Sequence, residues 1–176
     1  MNSTRTLSPA LLLLGVFGCA TNAHADDTCP DPLFVCETNR SQKYVTICAT
    51  EVKVGERWKD IQYRFGTEGM KPELVYPAQP DQGARLLFFS HTAVGSDYRV
   101  SVRFALGAYT YRVYSNSGQG NAGVLVMDTQ GKVLSNVRCI ERPHMFPSYM
   151  QRALACDTEN PHGASACGDK PLRLQK

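Results

Sequence analysis

Four arginines and a neighbouring tyrosine are the residues in this chain best equipped to recognise an anion. Arg99 and Arg103 stand in the run Tyr98-Arg99-Val100-Ser101-Val102-Arg103-Phe104, Arg112 and Tyr114 in Tyr111-Arg112-Val113-Tyr114, and Arg64 in Ile61-Gln62-Tyr63-Arg64-Phe65. A guanidinium presents planar donors that meet a carboxylate or phosphate through paired hydrogen bonds. A tyrosine adds contact area with a polar tip. Residues two apart on a strand share a face, so Arg99 goes with Arg103, and Arg112 with Tyr114.

Gly107-Ala108 lies between these two runs and reads as a two-residue hairpin loop of the Gly-X type. Loop length then fixes the register: 106 faces 109, 104 faces 111, 103 faces 112 and 101 faces 114. Phe104 and Tyr111 fall on the core face with Val102 and Val113. The opposite face sets Arg103 directly against Arg112, an arrangement that destabilises unless something answers the charge. Three readings remain open for these arginines. They form a solvated face whose guanidiniums stack on Tyr114 or pair with carboxylates of neighbouring strands, a cluster that binds an anionic ligand or partner, or a pair separated by a bulge that shifts the register. The binding reading predicts that Arg103→Ala weakens binding and leaves the melting temperature unchanged.

Catalytic patterns are sparse. Outside the N-terminal region the histidines are His91, His144 and His162, with neither a His-Glu-x-x-His zinc motif nor a Gly-x-Ser-x-Gly elbow. His91, in Phe88-Phe89-Ser90-His91-Thr92, is the best placed for acid–base work and is the alternative catalytic residue, acting with a serine in an envelope hydrolase. Carboxylates are scattered singly, no calcium loop is present, and cysteine spacings lack the close pairs of a zinc site. No metal or cofactor is therefore expected.

The elements that must position these residues are written in period two. Ile61, Tyr63 and Phe65 alternate with polar neighbours, as do Tyr98, Val100, Val102, Phe104 and Leu106. Further strands are expected at 43–49, 73–76, 85–90, 109–115, 123–128 and 133–139, with a glycine turn at 129–131 and loops at 78–83, 91–96 and 116–121. Alternation sends Tyr98, Tyr109 and Tyr111 inward and leaves Tyr114 outside. Only 147–154 reads as a helix. The fold class is mainly β: an antiparallel β-sandwich or barrel with one short C-terminal helix, stapled by disulfides.

Residues 1–25 carry a signal-peptide pattern: Arg5, an apolar run at 10–17 and small residues at Ala23-His24-Ala25. The run is too short to span a bilayer. An alternative is lipidation at Cys19, which would anchor the protein to a membrane. Residues 26–176 form a single β domain with irregular ends at 29–32 and 156–176. Of seven cysteines, removing Cys19 leaves Cys29, Cys36, Cys48, Cys139, Cys156 and Cys167, an even set fit for oxidation in a periplasmic or secreted protein. The pairing favoured from neighbourhood is Cys36 with Cys48, Cys139 with Cys156, and Cys29 with Cys167. The signal region holds one of the 19 basic residues and none of the 16 acidic ones, which leaves a net charge of +2 and argues against nucleic acid.

The segments Ile61-Gln62-Tyr63-Arg64-Phe65-Gly66 and Glu73-Leu74-Val75-Tyr76-Pro77, followed by a Tyr-rich hairpin and Gly131-Lys132 before Cys139, resemble a group of small exported bacterial proteins of unassigned role. The resemblance implies a shared exported β architecture and transfers no activity. In size, export and stapling the chain is also similar to periplasmic lysozyme inhibitors. It departs from them in lacking their Ser-Gly-x-x-Tyr loop, the nearest string being Gly95-Ser96-Asp97-Tyr98, and in not being acidic. The expected function is that of an exported, non-catalytic binding protein, an inhibitor or immunity-type partner of another envelope protein or a receptor for an anionic ligand. A hydrolase using His91 and a structural envelope component are the alternatives.

Overall fold

A computed structural model describes residues 29–40, 42–94, 97–161 and 166–167. The proposed signal, Cys19 and His162 lie outside the described residues. The described residues form eleven strands: β1 (Asp31–Glu37), β2 (Lys43–Lys53), β3 (Arg57–Thr67), β4 (Leu74–Tyr76), β5 (Phe88–Val94), β6 (Asp97–Leu106), β7 (Tyr109–Asn116), β8 (Asn121–Met127), β9 (Val133–Arg138), β10 (His144–Met145) and β11 (Ala155–Cys156). They assemble into a five-stranded sheet, β10-β1-β2-β3-β4, and a six-stranded sheet, β11-β5-β6-β7-β8-β9. The two sheets share one core and do not close, so the sandwich is the realised alternative and the barrel is not.

Aromatic rings fill the space between the sheets. Phe104 of β6 is fully buried and touches Tyr63 at 4.9 Å and Tyr76 at 4.7 Å from the opposite sheet, while stacking on Tyr111 at 4.9 Å. Such offset contacts add to the burial of large apolar area. The hairpin of β6 and β7 has the expected register, with Leu106 opposite Tyr109, Phe104 opposite Tyr111, Arg103 opposite Arg112 and Ser101 opposite Tyr114. Gly107 supplies the positive φ, +59°, that the first turn position requires. Tyr109, expected inside, is 47% exposed, because the rows nearest the turn extend past the cover of the other sheet.

Three local expectations are corrected. The stretch expected to be a strand at 85–90 begins as a helix, α1 (Gly83–Leu86), entered through a 3₁₀ turn at Pro80–Gln82, and pairing starts only at Phe88. Gly83 rests on the Ile61 carbonyl, where a Cβ would collide, so glycine is required by close approach. The loop expected at 91–96 is strand as far as Val94. Asp31–Glu37, whose apolar run Leu33-Phe34-Val35-Cys36 shows no alternation, is a strand with a register shift between Pro32 and Phe34. The expected helix near the C-terminus is present as α2 (Pro147–Ala153).

The disulfides are Cys29–Cys48, Cys36–Cys139 and Cys156–Cys167, so each pairing favoured from neighbourhood is overturned. Cys36 lies opposite Val45 and Cys48 opposite Pro32, on opposite faces of the β1–β2 pair, which bars a bridge between them. Cys139 follows β9 and Cys156 lies in β11, at the two far edges of the six-stranded sheet, about 24 Å apart at ~4.8 Å per strand. Cys36–Cys139 instead ties β1 of one sheet to the end of β9 in the other.

Candidate functional site

The outer face of the six-stranded sheet carries the arginines that β6 and β7 share. Alternation sends Arg99, Ser101 and Arg103 outward from β6, and Arg112, Tyr114 and Asn116 outward from β7. Cross-strand pairing arranges them in rows: Thr92, Arg99 and Asn116; then Ser90, Ser101, Tyr114 and Gly123; then Phe88, Arg103, Arg112 and Leu125. The middle row is low, because Gly123 has no side chain and a Cβ there would collide with the Val137 carbonyl. Asn160 and Pro161 of the C-terminal segment rise at one side. The result is an open cleft of about 390 Å³.

The middle row is hydrogen-bonded within itself. The Ser90 and Ser101 hydroxyls lie 2.8 Å apart, Asn160 Nδ2 donates to Ser90 Oγ at 3.0 Å, and Tyr114 OH donates to Asn136 Oδ1 at 3.0 Å. Tyr114 is 9% exposed, so its ring floors the cleft instead of standing in solvent.

The facing arginines have different fates. Arg103 donates from Nε and Nη2 to Asp157 Oδ1 at 2.9 and 2.8 Å, pairs with Glu159 at 3.0 Å through Nη1, and lies over the Phe88 ring. Burial alone would lower its pKa, and the hydrogen bond and charge of Asp157, with Glu159, more than offset this, so the pKa is raised. Its removal would leave the fully buried Asp157 uncompensated, contrary to the expectation that Arg103→Ala spares stability. Arg112 makes no ion pair or side-chain hydrogen bond among the described residues, and its Nε is buried without a partner. Arg99 is half-exposed and holds Asp97 at 3.5 Å.

No Asp or Glu lines the cleft, so its charged groups are donors, Arg112 and Arg99, with the Asn136 amide nitrogen, whose oxygen is already engaged, beside them. Such a surface fits an acceptor-rich, negatively charged group.

Arg64 lies elsewhere. It points outward from β3 in the other sheet, opposite Thr46 and Val75, donates to Gln62 Oε1 at 3.1 Å and lines a second concavity of about 500 Å³. Of the arginines singled out in the sequence, Arg99, Arg103 and Arg112 thus share a face with Tyr114, and Arg64 does not.

His91 borders the cleft but leaves β5 on its inner side, opposite Val100, with its ring 5.9 Å from Phe89 and 5.8 Å from Tyr98. Burial lowers its pKa and leaves Nδ1 without a partner. Ser90, its neighbour, projects to the other face and bonds Ser101, and no serine hydroxyl or carboxylate bonds His91 among the described residues. The geometry of a nucleophile–base pair is not assembled there.

Sequence reasoning missed Asn116, Asn136 and Asn160 in the cleft, and Asp157 with Glu159 as the answer to Arg103. The one available signal was the like-charge opposition at 103 and 112, which called for a carboxylate without saying where in the chain it lay. Among the described residues no helix is long and apolar enough to cross a membrane, and no three His, Cys, Asp or Glu side chains group as metal ligands. Compared with protein-family models, curated proteins and solved structures, the chain finds no match in any of the three.

Proposed function

We propose that this is an exported, non-catalytic binding protein whose working surface is the outer-face cleft around Arg112, where it takes an anionic group of another protein of the cell envelope. The observation that carries this reading is the contrast between the facing arginines. Arg103 is neutralised by Asp157 and Glu159, whereas Arg112 keeps its donors beside a cleft without carboxylates. An unpaired guanidinium in a partly desolvated site is costly to maintain and strong toward an incoming carboxylate or phosphate.

Export to the periplasm or medium is supported by the signal pattern at 1–25 and by three disulfides that bind the sandwich together, which suit an oxidising compartment. An inhibitor or immunity-type role accords with a rigid scaffold bearing a preformed polar cleft. The protein isolated from envelope extract should carry a partner at one-to-one stoichiometry, identified by mass spectrometry, and His91→Ala should retain it. Turnover that disappears in His91→Ala would favour the hydrolase instead, and retention in wall or membrane fractions without a partner would favour a structural component.

A further inference from the structure

We infer that the anionic group taken by the cleft belongs to an extended acidic peptide segment of the partner, with carboxylates four residues apart and a small residue midway between them. This rests on the reading of the cleft as a binding surface and adds the chemistry of its occupant.

Arg112 and Arg99 both line the cleft, from rows at its two ends. Arg112 stands opposite Arg103, and Arg99 is two side-chain rows from Arg103 along β6, a Cα spacing of about 14 Å at ~3.4 Å per residue. Asp97, one row further still, holds Arg99 at 3.5 Å on the side away from Arg112. The two arginines thus stand at opposite ends of the cleft, and a ligand that follows the strands meets them one after the other. An extended peptide laid along the strands has the same rise, so its side chains i and i+4, pointing down, meet the two arginine rows. The side chain at i+2 falls over the middle row, where the Tyr114 ring lies low across β8 beside Gly123 to reach Asn136 and the serine hydroxyls are already bonded to each other. That position has room for a small residue and asks for no hydrogen bond.

Donor and acceptor chemistry separates this occupant from an acidic saccharide. A sugar presents many hydroxyl protons that need acceptors, and this lining contains no carboxylate and has engaged its serine hydroxyls with each other, leaving the Asn116 amide oxygen and the Thr92 hydroxyl as the few neutral acceptors. Carboxylates only accept, which matches a lining whose charged side chains, Arg99 and Arg112, are both donors.

The test is fluorescence anisotropy with the labelled, end-capped peptide Glu-Ala-Gly-Ala-Glu and an isomer carrying its two glutamates side by side. The spaced peptide should bind about tenfold tighter, the size expected for one charge-assisted hydrogen-bonded contact. Replacing either glutamate by glutamine, or Arg99→Ala or Arg112→Ala in the protein, should each remove that advantage. A double-mutant cycle should couple each arginine to a different glutamate. Equal affinity for the two isomers, binding of neither, or tighter binding of a uronate disaccharide overturns the inference. If Arg112 still governs capture of an envelope partner while peptide spacing has no effect, the spaced-carboxylate inference alone falls. If neither capture nor peptide binding depends on Arg112, the reading of the cleft falls with it.

Discussion

Arg103 and Asp157, 54 positions apart in the chain, form a buried ion pair in which Nε and Nη2 donate to the same carboxylate oxygen. Arg103 is 9% exposed and Asp157 fully buried. The pair fastens the segment after β11 onto the outer face of β6 and cancels the charge that would otherwise oppose Arg112. Arg103→Ala is expected to destabilise the protein by about 3–5 kcal/mol, because a carboxylate is left buried and alone. Thermal denaturation should show a Tm lower by roughly 10 °C. Replacing both partners, Arg103→Met with Asp157→Leu, should recover most of the loss, since an apolar pair of similar volume leaves no unpaired charge.

The bridge Cys36–Cys139 spans 103 residues of sequence, against 19 for Cys29–Cys48 and 11 for Cys156–Cys167. Cross-links that close longer loops restrict the unfolded chain more, so removing Cys36 and Cys139 together should cost most, about 4–5 kcal/mol against about 3 kcal/mol for a short loop. Urea denaturation of the three double Cys→Ala variants checks the order. Non-reducing peptide mapping should recover the same three pairs, and a Cys36–Cys48 peptide would contradict the β1–β2 geometry.

His91 gives a signed pH dependence. Burial places its folded-state pKa below the unfolded value of 6.5, so the unfolded chain takes up a proton first as pH falls. The stability associated with neutral His91 is therefore present above pH 6.5 and is lost as pH falls from there through the lowered folded value. Its ring neighbour Tyr98, pushed up to about 12 by burial, stays neutral throughout and does not offset the effect. Melting curves of the wild type and His91→Gln from neutral to mildly acidic buffer should diverge, with the wild type losing more. Parallel curves would show that His91 titrates alike in both states.

The hairpin of β6 and β7 was legible to the residue, because a glycine at the first of two turn positions fixes every cross-strand pair that follows. That one register placed Arg99, Arg103, Arg112 and Tyr114 on a single face without any tertiary information. Arg64 could not be excluded from the group in the same way, since alternation says which side of a strand a residue takes and not which sheet holds the strand. Cys36 and Cys139 illustrate the same limit: their bridge follows from the crossing of two sheets, which no local pattern records. Asp157 lay in a segment without periodicity, anchored to β5 by only two parallel residue pairs, so its match to Arg103 had no sequence signature. Gly83 was passed over because its requirement comes from the Ile61 carbonyl pressing on it.

The binding role assigned to the cleft is tested most directly by Arg112→Ala, with thermal stability and partner capture measured on the same preparation. The side chain makes no ion pair among the described residues and its Nε is buried without a partner, so its removal breaks no bond and Tm should not fall. The partner recovered from envelope extract should fall by about tenfold or more, and Arg112→Lys, which keeps the charge and loses the planar donors, should restore it only in part. Undiminished capture by Arg112→Ala at unchanged Tm would contradict the assignment of this cleft as the binding surface.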